Sequence, residues 1–341
     1  MFLRNQWYVA AESRELGDAP LGRIFLDEPV VLYRQAGGAP VALADRCRHR
    51  HAPLSRGAVA DGRLRCGYHG FVYDATGACV AIPGRDRIPP GTRVRAYPLC
   101  ERHGWIWIWM GDAARADDAL VPDFRENAAP GWAAVGARLP VRADYRLLID
   151  NLMDLSHVAF VHAATIGSPD DTDPQLVWER GPGWVRGTRT VRNIAPSPRM
   201  RHEGIDYPVD QVKTMTFTPP ANVVIDIRTV EAGRAPGAPG RLNQRLIIFD
   251  MMTPETGTSC HYFWSNARNY AVDDRAYTDF AQRLVEQAFD EDKAMLEAQQ
   301  RNLDRDPEAP SVDVGADTGG LQSRRLLARL IEEERAKQTA A

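Results

Sequence analysis

Residues 47–70, CRHRHAPLSRGAVADGRLRCGYHG, hold two cysteines and three histidines. One residue separates Cys47 from His49 and two separate Cys66 from His69, so each pair can set a thiolate and an imidazole on one loop. Zinc fingers commonly keep their cysteines on one loop and their histidines on another, whereas here each loop is mixed. A Rieske [2Fe-2S] centre needs that mixing, because two cysteines hold one iron and two histidines the other. The spacing C-x-H-x16-C-x2-H fits such a cluster, with structural zinc as the alternative. His51 has no cysteine mate and reads as a polar loop residue. Cys79, Cys100 and Cys260 lack ligand-like neighbours and read as small buried hydrophobes.

A second group of polar residues interrupts the apolar segment DYRLLIDNLMDLSHVAFVHAATIG, residues 144–167. Leu148, Asn151 and Leu155 recur at helical spacing, while Asp150, Asp154 and His157 line a neighbouring stripe. His157 and His162 would lie about 140° apart on an ideal helix. Both reach one metal only if the helix ends or bulges between them; a buried, hydrogen-bonded histidine is the plainer reading of either alone. Two histidines and a carboxylate on one side of an open metal would make a non-haem iron triad. Asp292 offers that carboxylate. In the helical segment 273–303, begun by the capping candidate Asp273, it has Ala288, Phe289, Met295 and Leu296 as its i−4, i−3, i+3 and i+4 neighbours. A carboxylate in an apolar stripe must be paired or metal-bound, and periodicity leaves ligand and salt-bridged residue equally placed. Asp290 and Glu291 read as nearer the wet side.

The elements that must position these groups suit two domains in a chain of 341 residues. The first, 1–112, reads as short strands: GRIFLDEPVVLYRQ and APVALADRC split by a turn, then GFVYDATGACVAIPG and HGWIWIWMGD. Trp105, Trp107 and Trp109 share one face of the last and read as sheet core. Residues 113–137, rich in Ala, Asp and Pro, read as a linker. The remainder, 138–341, supplies five longer strand segments and the helices, with 231–242 as a loop between strands. A formal charge of −3 leaves no global cationic field for nucleic acid. The N-terminal segment has no apolar run approaching the roughly 18 residues of a membrane span, and the cysteines form no disulfide framework. A cytoplasmic protein with neither membrane nor nucleic-acid partner is expected.

The chain resembles the vanillate O-demethylase oxygenase subunits of the Rieske non-haem iron oxygenases, with the dicamba O-demethylases as near cousins. NQWYVAA, CGYHG, DNLMDLSHVAFVHAATIG, TPETGTSCHYFW, EDKAMLEAQQRNL and GGLQSRRLLARL carry the likeness nearly end to end. The resemblance implies an α+β protein, in which an N-terminal antiparallel Rieske domain precedes a curved antiparallel sheet wrapping helices in the helix-grip manner. It implies that Cys47, His49, Cys66 and His69 bind one [2Fe-2S] cluster and that His157, His162 and Asp292 bind one mononuclear Fe(II). Asp154 would bridge the two centres between subunits of a homotrimer, accepting from the second ring nitrogens of His69 and His157, and Asn151 would support the iron ligands.

The implied activity is that of a terminal oxygenase. With O2, and electrons from a separate NAD(P)H-dependent flavin and iron–sulfur reductase, it would hydroxylate the methoxy carbon of an aromatic acid, giving a phenol and formaldehyde. The alternative is a ring hydroxylase or methyl monooxygenase of another aromatic acid. The chain's lack of a G-x-G-x-x-G turn agrees with a separate reductase. Arg48 stands where the family commonly has proline, which places a cation beside the cluster. Residues 196–227, a segment that helps form the substrate cavity in relatives, match only loosely. Asp250 interrupts the apolar strand RLIIFDMM, so it must pair with a cation or meet a ligand's polar group; a phenol hydroxyl beside the methoxy group would be such a partner.

Overall fold

The computed structural model describes residues 1–163, 165–167, 176–235 and 240–339. They form two compact units, one of Met1–Asp123 with Thr253–Gly257 and one of Phe124–Met252 with Thr258–Ala341.

The first unit is built from three small antiparallel sheets. β1 (Trp7–Glu12) and β10 (Leu99–Arg102) flank β11 (Trp105–Trp109), while β2 (Leu21–Phe25), β3 (Glu28–Arg34), β4 (Pro40–Ala44) and β9 (Ala96–Tyr97) form a second sheet. The third is β5 (Ala58–Ala60), β6 (Arg63–Arg65), β7 (Val72–Tyr73) and β8 (Cys79–Ala81). The tryptophan strand is core on both faces, since Ile106 and Ile108 are buried with Trp105, Trp107 and Trp109. The segment 22–35 holds two strands. It folds back at Leu26 (φ 52°) and Asp27 (φ 65°), whose N–H groups donate to Pro254 O and Glu255 O at 2.9 Å each. Cys79, Cys100 and Cys260 form no disulfide and are buried.

The second unit is one seven-stranded antiparallel sheet with helices packed on it. The strands are β12 (Ala133–Val141), β13 (Val177–Gly181), β14 (Trp184–Ile194), β15 (Val209–Thr218), β16 (Asn222–Glu231), β17 (Asn243–Thr256) and β18 (Ser259–Arg268), in the spatial order β12-β18-β17-β16-β15-β14-β13. The helices are α1 (Tyr145–Met153), α2 (Val158–Val161), α3 (Pro198–His202), α4 (Arg275–Arg305) and α5 (Thr318–Thr339). α1 packs on β15, β16 and α5, and α4 packs on β12. Cross-strand rows fix what faces the helices: Asp250, Val223, Phe217 and Val185 stand opposite one another, as do Leu246, Ile227, Lys213 and Arg189.

Two expectations change here. Residues 113–137 are not a uniform linker: three 3-10 turns are followed from Ala133 by β12, which pairs with β18 along its length. The cap of α4 is Asp274, whose carboxylate accepts from Tyr277 N–H at 2.9 Å, and not Asp273. The loop expected at 231–242 lies between β16 and β17, with 236–239 outside the described residues.

Candidate metal centres and their cavity

The two cysteine loops are built on one plan. Cys47 N–H donates to Ala52 O and His51 N–H to Cys47 O, each at 2.9 Å; likewise Cys66 N–H donates to Phe71 O at 2.8 Å and Gly70 N–H to Cys66 O at 3.0 Å. The chain reverses at a left-handed residue four past each cysteine, His51 (φ 58°) and Gly70 (φ 73°). His51 is therefore a turn residue, exposed to solvent. Both cysteines are anchored in an apolar cluster with Tyr33, Leu54, Leu64 and Tyr73. The histidines stand outside it: the His49 and His69 rings lie 4.5 Å apart, and Phe71 stacks on His49 at 5.0 Å. Sulfur thus meets sulfur at the buried end and imidazole meets imidazole at the exposed end. That suits two irons with unlike ligands, whereas one tetrahedral zinc would draw all four to a point.

Burial, and then the neighbouring Cys66 thiol, raise Cys47 above the usual thiol pKa, against a hydrogen bond from Tyr73. Such a thiol becomes a thiolate only beside a compensating metal charge. The Tyr73 hydroxyl lies 3.3 Å from Cys47 Sγ and accepts from Arg48 N–H at 3.2 Å. The Arg48 side chain is held along the surface, its Nε donating to Arg93 O at 2.8 Å.

In the second unit the helix ends twice. α1 starts at its cap Asp144 and stops where Asp154 takes extended geometry (φ −129°). Asp154 Oδ1 then accepts from Ser156 N–H at 2.8 Å, starting a 3-10 turn that runs into α2, and His162 falls just past the end of α2. This break is what gathers the two histidines, whose ring centroids lie 5.3 Å apart. One ligand atom each from His157, His162 and Asp292 falls within 4.8 Å of the others. His162 and Asp292 are buried, at 2% and 6% exposed.

Each ring is steered through its second nitrogen. His157 Nδ1 donates to the Asp154 backbone carbonyl at 2.6 Å, and His162 Nδ1 donates to Glu291 Oε2 at 2.9 Å. Both Nε2 atoms then face Asp292, at 3.5 Å and 3.1 Å. Asn151 Nδ2 donates to Asp292 Oδ1 at 3.1 Å, and Thr165 Oγ1 donates to Glu291 at 2.9 Å. This is the pattern of ligands oriented by outer partners, with lone pairs aimed at one point. Burial works against a charged His162, yet the Asp292 and Glu291 carboxylates hold its pKa above the ordinary imidazole value. A cage that favours a proton there also favours a divalent cation.

Three details differ from expectation. The Asp154 group holding the His157 ring is the carbonyl, because the carboxylate is engaged with Ser156 N–H. Met295, placed in the apolar stripe, is 56% exposed. Glu291, placed toward water, turns inward to His162; adjacent carboxylates on a helix gave no sign that both would reach one ring.

The triad lines one end of a cavity of about 210 Å³, together with Asn151, Leu152, Ile225, Ile248, Asp250 and Phe289. The loosely matching segment 196–227 supplies part of its wall, including Arg199, Gln211 and Lys213. Asp250 is fully buried. Its partner is the Tyr262 hydroxyl, donating to Oδ1 at 2.6 Å, and not a cation; Oδ2 has no partner. Burial, followed by the nearby Asp292 charge, pushes the Asp250 carboxyl up to about 7 against the Tyr262 hydrogen bond. No helix among the described residues is long and apolar enough to cross a membrane.

A cluster-type loop pair in one unit and a two-histidine, one-carboxylate group on a cavity in the other are the parts of a Rieske non-haem iron oxygenase. Comparison with known proteins agrees. Residues 6–98 match the Rieske [2Fe-2S] domain and residues 141–333 the vanillate O-demethylase oxygenase C-terminal domain. The chain is 42% identical over 344 residues, 98% of each chain, to a putative toluene-4-sulfonate monooxygenase system iron-sulfur subunit of Comamonas testosteroni. It is also 42% identical over 318 residues, covering 91% of this chain and 96% of the relative, to a vanillate O-demethylase oxygenase subunit of a Pseudomonas strain. The solved structure of dicamba monooxygenase bound to 3,6-dichlorosalicylic acid superposes with a TM-score of 0.91 at 34% identity, over 98% of this chain and 99% of that one. The chain belongs to the vanillate O-demethylase oxygenase family, and its cofactors are a Rieske [2Fe-2S] cluster and a mononuclear non-haem iron.

Proposed function

We propose that this protein is the terminal oxygenase of an aromatic O-demethylase, removing the methyl group of a methoxy-substituted aromatic acid as formaldehyde. The observation that carries the reading is the cavity: a triad fit for iron opens onto a mostly apolar, ring-sized space whose wall holds, besides Asp292, a buried carboxyl, Asp250, with an unpartnered oxygen. The names of the vanillate and dicamba relatives support the same chemistry.

In this reading Cys47, His49, Cys66 and His69 hold the cluster, and His157, His162 and Asp292 hold the iron. When bound, these groups supply one-electron transfer and activation of O2 for hydroxylation of the methoxy carbon. The protein's own part is positional. Asn151 and Glu291 keep Asp292 and His162 aimed at the metal position. Leu152, Ile248 and Phe289 exclude water and grip the ring. Asp250 accepts from or donates to the ring hydroxyl beside the methoxy group, and Tyr262 fixes its rotamer. The hydroxylated methoxy group is a hemiacetal, which releases formaldehyde and leaves a phenol.

Electrons come from a separate NAD(P)H-dependent flavin and iron–sulfur reductase. The assembly is a homotrimer in which the second carboxylate oxygen of Asp154 meets His69 of a neighbouring copy. A heterologous contact of that kind closes under three-fold rotation. Incubating the loaded enzyme with a compatible reductase, O2 and a series of methoxybenzoates tests the proposal: formaldehyde released in step with phenol supports it, and turnover without formaldehyde refutes it. A second reading, methyl or ring oxidation of another aromatic acid, takes its support from the toluene-4-sulfonate monooxygenase relative, and product analysis in the same assay separates the two.

A further inference from the structure

Asp250 and the triad mark one end of the cavity, and the other end is cationic. Asn269 N–H donates to Arg245 O at 3.2 Å, which brings Arg268 of β18 level with Leu246 and hence with the Leu246, Ile227, Lys213, Arg189 row. Arg189, Lys213 and Arg268 all line the cavity. Leu246 lies four residues along β17 from Asp250, about 13 Å at the strand rise.

Arg268 is 2% exposed. One terminal nitrogen donates to Ala271 O at 3.1 Å and Thr278 Oγ1 at 2.6 Å, and its guanidinium lies 4.9 Å from the centroid of the Tyr277 ring. Nε and the other terminal nitrogen are buried without any hydrogen-bond partner. Asn266 Oδ1, two residues earlier on the cavity wall, is likewise unpartnered. Arg199 differs: Glu203 accepts from its guanidinium at 2.7 Å. A buried guanidinium without a carboxylate is costly unless an anion joins it; Nε and the unpartnered terminal nitrogen, the one on the Cδ side, lie on different edges, so each offers an anion a single charge-assisted hydrogen bond.

We infer that Arg268 is the specificity residue for the substrate's acid group, a carboxylate or sulfonate on the ring, bound at the cavity end opposite the triad. This rests on the reading above and sharpens it. A ring with its hydroxyl at Asp250 and its acid in the para position points that acid toward Arg268, leaving the methoxy group beside the metal position. Asn266, Arg189 and Lys213 line the same cavity.

The test is binding, measured calorimetrically on the metal-loaded enzyme without reductase. The probes are 3-methoxybenzoate, 3-methoxybenzenesulfonate and the neutral 3-methoxybenzamide. The wild-type enzyme should favour at least one of the anions over the amide by about tenfold or more, and whichever binds tighter identifies the acid. Arg268→Met should abolish that preference while moving amide affinity about twofold or less. Because Arg268 also braces the start of α4, Asn266→Asp gives an independent arm: a carboxylate beside Arg268 should cancel the preference with the arginine's bonds intact. A preference that survives in either folded variant, or equal weakening for anion and amide, would overturn the assignment. Failure of formaldehyde release with the preference intact would refute O-demethylation and leave the anion site standing.

Discussion

The two centres of this chain are made in opposite ways. The cluster loops lie within residues 47–70 and are shaped by hydrogen bonds between near neighbours, with one turn used twice. The iron group joins His162 to Asp292 across 130 residues, and Asn151 to Asp292 across 141. A local site keeps its geometry as long as its two loops fold. A site assembled from the α1–α2 break and the distant helix α4 depends on outer partners, Glu291, Asn151 and the Asp154 carbonyl, to hold what the chain itself does not fix.

That contrast predicts unequal responses to substitution. The largest effect belongs to His157→Ala, which should abolish formaldehyde release while the visible absorption of the cluster persists, since the four cluster residues all lie within residues 47–70. Asp154→Asn should come next. The backbone carbonyl that holds His157 is unchanged, so iron should stay bound, yet electron delivery should slow severely; rapid-mixing absorbance at the cluster wavelengths reads the step, and a normal rate removes Asp154 from the path.

Glu291→Gln should weaken iron binding by about 10–100-fold, as removal of an outer partner typically does, measured by chelator competition. The analogous change beside the cluster, Arg48→Ala, removes only a surface bond to Arg93 O and should leave cluster content unchanged.

Asp250→Ala should raise KM for 4-hydroxy-3-methoxybenzoate by about tenfold or more, from loss of a charge-assisted hydrogen bond of about 1.5–3 kcal/mol, with little effect on the analogue lacking the 4-hydroxyl. The same residue carries a pH effect. The unfolded carboxyl releases its proton near 3.8, whereas the folded one holds it to about 7. Between those values the folded state binds the extra proton, so stability falls as pH rises through the window and levels off above it. Asp250→Asn should flatten that slope in Tm measured against pH.

The smallest effect is in the turns. His51→Gly should stabilise the first loop by about 1 kcal/mol or less, because a left-handed residue is cheaper as glycine. Gly70→Ala should destabilise the second, since its Cβ would stand 2.8 Å from Pro83 Cγ. Thermal melts compare the two.

Legibility in the sequence follows the same division. The cysteine and histidine spacing exposes the cluster because its loops are short and self-contained. The triad is half visible: the histidine spacing demanded a break, which Asp154 and the end of α2 provide, but Asp292 stood level with a salt-bridged residue until packing placed it. Glu291 gave no periodic signal. The turn at Leu26 and Asp27 lacks the glycine or asparagine that marks a tight hairpin, so β2 and β3 read as one strand. β12 reads as linker because AAVGA has weak strand character alone and is held by its pairing with β18. The cationic end of the cavity was hidden because Arg189, Lys213 and Arg268 come from three strands and meet only through sheet register.

Iron and acid-labile sulfide analysis of the purified wild type and of His157→Ala tests the central claim most directly. The account predicts that the variant loses one iron per chain while its labile sulfide stays at the wild-type level. Loss of sulfide together with iron in folded protein, or iron retained in full, would contradict two separately built centres.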